Sequence, residues 1–277
     1  MKVVLVMLNN FQKYIVYNIE NLKLYGNNDI TLITDEKFFK YFEKYNINLI
    51  PVDKLIKNYT VLMNTLKNTF RNGFWKLTTF RFNAIYNFMK QYNIKNIVHI
   101  ENDVLVYENL NNIIFHDKNK ILITMDAKNR CIPGIMFIPN FSLLQTCLTY
   151  FENNLNDMQN FAICYHKTNI IDTLPIFINN TTHTKKFEDI CKNYDKYNVI
   201  FDAAAIGQYL GGIDPRIKSS NTIGFVNETC IVDYSNFKFV FEKEKGKHKP
   251  FIIVNNKKIQ IINLHIHSKH LNKFIFK

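Results

Sequence analysis

Glu101 and Asp103 place two carboxylates either side of Asn102, directly after the apolar run Asn96–Ile100 and just before Val104–Tyr107. Like charges this close repel, which costs free energy unless a cation or a hydrogen-bond donor offsets them. A divalent metal shared with a diphosphate does so, because hard cations take carboxylate and phosphate oxygens together. For an isolated E-x-D the plainer alternative is a solvated turn after a strand.

Two other stretches carry matching chemistry. In Asn263–Lys269, His265 and His267 alternate and share one face if the strand is extended, so one of them suffices as a ligand. Imidazole and carboxylate together suit Mn²⁺ or a similar ion, whereas surface polarity at a strand end is the plainer account. Asp202 opens the stretch Asp202–Leu210, where N-capping is its ordinary role. The residues that follow, Ala203, Ala204 and Ala205, are small enough for the helix to approach a backbone or a ligand closely.

The elements that must position these groups alternate in type. Lys2–Leu8 reads as a strand, about Phe11–Tyr25 as a helix with apolar residues at 11, 15, 19 and 22, and Asp29–Thr34 as a second strand. A short helical stretch, the strand Asn48–Val52, a helix over Leu77–Met89 ended by Tyr92-Asn93, and the strand Asn96–Ile100 follow. Strands that alternate with helices imply parallel pairing with helical crossovers. The acidic pair then sits at the carboxyl end of a central strand, where open α/β sheets usually bind ligands. Ile121–Met125 and Gly134–Ile138 read as strands, Phe141–Lys167 as largely helical, and Val199–Phe201 leads into Asp202. Phe237–Phe241, Phe251–Val254 and Ile259–Leu264 read as antiparallel strands, the last two joined by Asn255-Asn256. No GxGxxG follows the first strand, so the dinucleotide fingerprint is absent.

Composition narrows the class. A chain of 277 residues with 47% apolar and 21% charged residues can bury a large core and is not a disordered tail. The formal charge of +12 comes from lysines scattered along the whole length, without a nucleic-acid recognition motif, so a nucleic-acid partner is not expected. A basic balance equally suits a phosphate-bearing small substrate. The abundance of Asn, Lys, Ile, Tyr and Phe looks like the coding bias of an AT-rich genome. Five cysteines at 131, 147, 164, 191 and 230 form no CxxC knuckle and, being odd in number, no disulfide framework. They read as buried thiols in a reducing, cytoplasmic compartment. Met1–Leu8 is too short for a transmembrane segment.

With Thr78–Phe82 (TTFRF) upstream of His99–Val104, the sequence resembles glycosyltransferases of the GT-A fold, distantly the glycogenin-like members. The resemblance implies an α/β, GT-A-like nucleotide-binding sheet, mostly parallel with helices on both faces, plus a C-terminal antiparallel strand extension. It implies one domain over 1–277, with a nucleotide-binding half at 1–115 and an acceptor half at 116–277. In that family a DxD or ExD element holds Mn²⁺ or Mg²⁺ on the donor diphosphate. Asp103 and Glu101 are then metal ligands, Asn102 lies beside the donor, and Arg81 is the basic residue on the preceding helix. His265 (or His267) completes the metal site and Lys269 grips the diphosphate. Asp202 contacts sugar or acceptor, and in an inverting enzyme it is the base that deprotonates the acceptor hydroxyl. Asn9, Asn10 and Tyr14 fall where the family reads base and ribose, although a tyrosine on an amphipathic helix is ordinarily core. Pro133 and Gly134 loosely match a loop that passes the donor sugar, and otherwise read as a turn.

The implied reaction moves a sugar from a nucleotide-sugar donor, a UDP-sugar being the commoner choice, to a glycan or other hydroxyl acceptor. Two alternatives remain. A sugar-phosphate nucleotidyltransferase would usually show a Gly-rich loop after the first strand, and Leu8–Lys13 has no glycine. A non-catalytic nucleotide- or carbohydrate-binding module would not need the acidic, Asp202 and histidine/lysine elements together.

Overall fold

Val3, Leu5 and Met7 alternate with Val4, Val6 and Leu8, and all six are buried, so the first strand must be covered on both faces. The computed structural model describes residues 1–59, 61, 74–179, 187–214, 223–244 and 246–275. Helix α1 (Ile15–Leu24) covers one face with Ile15, Ile19 and Leu22. Helix α2 (Phe74–Gln91) covers the other with Phe82, Ile85, Phe88 and Met89. Helices α3 (Phe141–Thr149) and α4 (Asp157–Lys167) extend that second layer through Leu144, Cys147, Phe161 and Cys164.

Between the layers, β1 (Lys2–Met7) pairs in parallel with β2 (Ile30–Thr34) and β4 (Ile97–Ile100), and β2 with β3 (Asn48–Pro51). On the far side of β4, β6 (Ile121–Ala127), β7 (Arg130–Ile138) and β8 (Ile171–Leu174) complete a seven-stranded sheet of order β3-β2-β1-β4-β7-β6-β8. Only β7 runs against its neighbours, so the sheet is mainly parallel. Because β1, β2, β3 and β4 run the same way, Asn9, Asp35, Val52 and Glu101 all emerge at one edge.

Two smaller sheets stand apart. Strands β9 (Lys238–Glu244), β10 (Lys247–Val254) and β11 (Lys257–Gln260) form an antiparallel meander. Asn255 and Asn256, with φ of 49° and 61°, make the tight turn between β10 and β11. Strand β5 (Val104–Val106) pairs antiparallel with β12 (Asn263–His265). A third apolar cluster, including Leu105, Ile200, Ile252, Val254 and Leu264, fills this end of the molecule. The short helices α5 (Tyr194–Tyr197) and α6 (Ile206–Gly211) complete it.

Four elements differ from the sequence expectation. Pro133 and Gly134 lie inside β7 instead of forming a turn, and the chain reverses at Lys128-Asn129. Residues 141–167 form two helices, because the Asn156 side chain and Gln159 close a capping box that starts a new one. The segment Ile259–Leu264 splits, its second half leaving the meander to join β5, while Val199–Phe201 contributes only the bridge Ile200–Ile261. Strand β8 falls between Lys167 and Val199, where the sequence suggests no regular element. Among the described residues no helix is long and apolar enough to cross a membrane.

Candidate active site

The register of β5 with β12 sets His265 opposite Val104, the residue after Asp103. The backbone N–H of Ile266 then donates to the Asp103 carbonyl at 2.8 Å, fixing the two segments side by side. His265 Nε2 lies 3.2 Å from Glu101 Oε2 and 3.3 Å from Asp103 Oδ2. Lys269 Nζ pairs with the same Asp103 Oδ2. The rings of His265 and His267 are 4.6 Å apart. Asp103, His265 and His267 each offer a ligand atom, and these atoms lie within 4.8 Å of one another.

The surroundings hold this arrangement from several elements. Arg81 of α2 bridges two carboxylates, Glu101 and, at 2.7 Å, Asp157 in the first turn of α4. Asn102 turns inward, donating its amide to the Val6 carbonyl at 2.8 Å and to Gln12 Oε1 at 2.7 Å. Asn18 of α1 donates to the Glu101 carbonyl at 3.0 Å. Two glycines make room for His265: a Cβ on Gly134 would stand 2.9 Å from its Nδ1, and one on Gly207 only 2.2 Å from its carbonyl oxygen. Gln208 Nε2 donates to His267 Nδ1 at 2.8 Å.

Asp202 is fully buried, and four backbone N–H groups occupy its carboxylate. Oδ1 accepts from Ala205 and Ile206, both at 2.9 Å, and Oδ2 from Gly207 and His265, both at 2.8 Å. The small residues after it bring α6 against the backbone of His265, as Gly207 requires. This geometry makes Asp202 a cap and a tie between α6 and β12, with no oxygen left to take a proton from a substrate.

The charges are strongly coupled. Burial works against ionisation of Asp103, yet Lys269 and then His265 outweigh it and hold the carboxyl well below its ordinary range. Burial likewise opposes the charge on Glu101, but Arg81 and His265 lower its pKa. His265 is pushed up despite burial, because Asp103 and Glu101 favour its charged form, whereas burial and the neighbouring His265 and Lys269 bring His267 down to about 3. Three carboxylates, Glu101, Asp103 and Asp157, thus meet Arg81, Lys269 and a His265 whose charged form they favour.

The structure therefore brings together Arg81, Glu101, Asp103, His265, His267 and Lys269. Tyr14, at the start of α1, joins them from the side, its ring centroid 5.5 Å from Lys269 Nζ. Asn9 sits at the sheet edge in a left-handed conformation, φ 67°, its N–H on Asp35 Oδ2 at 2.8 Å, and Asn10 beside it is exposed. Gly134 lines the cluster from β7 and accepts from the Glu101 N–H at 2.9 Å, with Pro133 preceding it in the strand. Sequence reading missed Asp157, Gln12 and Gln208. Asp157 fell inside a stretch that reads as largely helical throughout, Gln12 had no motif around it, and Gln208 lay within Asp202–Leu210 without a role of its own.

No family model matches the sequence, and comparison with curated proteins finds no match. Among solved structures, a cytidylyltransferase from Leptospira borgpetersenii serovar Hardjo-bovis aligns with 13% identity over 63% of this chain and 76% of that one, at a TM-score of 0.38. The glycosyltransferase GlyE of Streptococcus pneumoniae TIGR4 aligns with 14% identity over 62% of this chain, at 0.42, the match spanning 45% of its length. The galactosyltransferase LgtC, solved with donor and acceptor sugar analogs, aligns with 9% identity over 69% of this chain and 84% of that one, at 0.40. Likeness this distant decides neither activity nor substrate.

Proposed function

We propose that this protein is a glycosyltransferase that moves a sugar from a nucleotide-diphosphate donor to a hydroxyl acceptor, using Mn²⁺ or Mg²⁺. The observation that carries the reading is the convergence of Asp103, His265, His267 and Lys269 at the carboxyl edge of a central strand. One carboxylate and two imidazoles fit a manganese-like ion, and Nε2 is the His265 nitrogen that faces Asp103 Oδ2. Asp103, His265 and His267 would hold the cation, which when bound neutralises charge that develops on a departing diphosphate. Glu101 orients His265 and is itself held by Arg81, which is thereby a brace more than a phosphate clamp. Lys269 supplies the mobile positive charge for the diphosphate, and Tyr14 flanks it where a donor would lie. Asn9 and Asn10 occupy the edge after β1, where base and ribose would be read.

Donor turnover tests this reading. Release of sugar from UDP-sugars should require Mn²⁺ or Mg²⁺ and vanish in Asp103→Ala, which keeps its far-UV circular dichroism because a carboxylate at a strand end contributes little to the core. An Asp103→Ala protein with full turnover refutes it, and pyrophosphate-dependent release of a sugar phosphate would indicate nucleotidyl transfer instead.

A further inference from the structure

We propose that Lys269 is a resident counter-ion for Asp103, which a divalent cation must displace, so that cation entry and diphosphate capture are coupled through one side chain. The inference rests on the cation site assigned above. Lys269 Nζ sits on Asp103 Oδ2, the same oxygen that faces His265 Nε2 at 3.3 Å. That carboxylate side chain is only 9% exposed, so water does little to screen a second cation on it. An ammonium and a divalent ion cannot share the oxygen without strong repulsion, and the ammonium has to leave.

The lysine is built to swing without the chain moving. Its backbone is fixed at φ 64° and its N–H donates to the Ile266 carbonyl at 3.0 Å, so only the four-carbon stem turns. The face of Tyr14 lies 5.5 Å from Nζ while it rests on Asp103, so this cation–π contact adds to what an entering cation must overcome. Arg81 cannot substitute, since Glu101 and Asp157 already engage it. A cation alone therefore competes with Lys269, whereas a cation arriving with a diphosphate gives the released ammonium a new partner. The two ligands bind synergistically, and each raises the affinity for the other by the same factor.

Electron paramagnetic resonance of free Mn²⁺, titrated with the 277-residue protein and with its Lys269→Met variant, reads this directly. Lys269→Met should bind Mn²⁺ alone about tenfold tighter than wild type, the order expected on removing one like charge from a partly buried site. UDP should tighten Mn²⁺ binding in wild type and do so about tenfold less in the variant. Lys269→Gln should behave as Lys269→Met, and Lys269→Arg should return toward wild type. If wild type binds Mn²⁺ and the neutral variants bind it equally or more weakly, the counter-ion role is refuted while the cation site stands. If UDP tightens Mn²⁺ equally in wild type and variants, the coupling is refuted. Mn²⁺ binding to none of the proteins overturns the inference and the cation site together.

Discussion

Asp202→Asn separates two roles for a residue that a sequence alone offers as a base. The native carboxylate is fully buried and accepts four backbone hydrogen bonds of 2.8 to 2.9 Å, two on each oxygen. An asparagine keeps one oxygen and turns the other into an NH₂ group that faces two N–H donors. Two charge-assisted bonds are lost, each worth about 1.5–3 kcal/mol, which sums to about 3–6 kcal/mol. Relief from burying a charge acts the other way, since burial raises the Asp202 pKa, so the lower end, about 3 kcal/mol, is expected. Against a typical folding stability of about 5–15 kcal/mol the variant still folds at 25 °C, with a clearly lower urea midpoint. Because Oδ2 also fixes the His265 N–H, Mn²⁺ affinity should fall as well. Urea unfolding followed by circular dichroism decides the matter. An unchanged midpoint with normal Mn²⁺ binding and no sugar transfer would refute the capping argument and restore Asp202 as the base.

Asp157→Asn takes one partner from the buried Arg81 and should lower stability by about 3 kcal/mol and weaken Mn²⁺ binding, with Asp157→Glu recovering part of both; thermal unfolding and Mn²⁺ titration measure these. Gly134→Ala puts a Cβ 2.9 Å from His265 Nδ1, so the ring shifts by a few tenths of an ångström and Mn²⁺ affinity should drop about tenfold, whereas stability changes by less than about 2 kcal/mol. Burial, only partly opposed by Arg130, pushes the Asp126 carboxyl up to about 7. The native state therefore binds this proton more tightly than the unfolded chain, and between about pH 4 and 7 the residue removes stability as pH rises, by about 4 kcal/mol in all. Comparing urea midpoints at pH 5 and pH 8, wild type should lose more on going to pH 8 than Asp126→Asn does; an equal loss contradicts the assignment.

The parallel half of the sheet was legible because β1 announces itself: six buried residues alternate to two faces, and the helical spacing at 15, 19 and 22 supplies a cover. The acidic pair was legible from its place after β4. What could not be read was contact between distant segments. That His265 meets Asp103 depends on the β5–β12 register, which a short apolar run does not encode. Pro133-Gly134 has the composition of a turn, but the glycine is there to leave space for an imidazole. Asp202 looked catalytic because a helix-opening acid among small residues does not reveal whether its oxygens face solvent or four amides. The asparagines, easily dismissed as compositional drift, have structural uses. Of ten non-glycine residues with positive φ among the described ones, eight are asparagine, in a chain with eight glycines. Asn18, Asn21 and Asn27 are buried and donate to the carbonyls of Glu101, Val106 and Glu108, pinning both sides of β5.

The order in which the chain is made gives the β5–β12 pairing a temporal meaning. All seven strands of the large sheet have been synthesised once Leu174 is reached, yet the imidazoles and the ammonium that meet Asp103 come from residues 265 to 269. A nascent chain halted after Gln260 could carry its main scaffold and still have no means of gathering a cation. Competence thus waits on residues 265 to 269, which are made only after every strand of the large sheet.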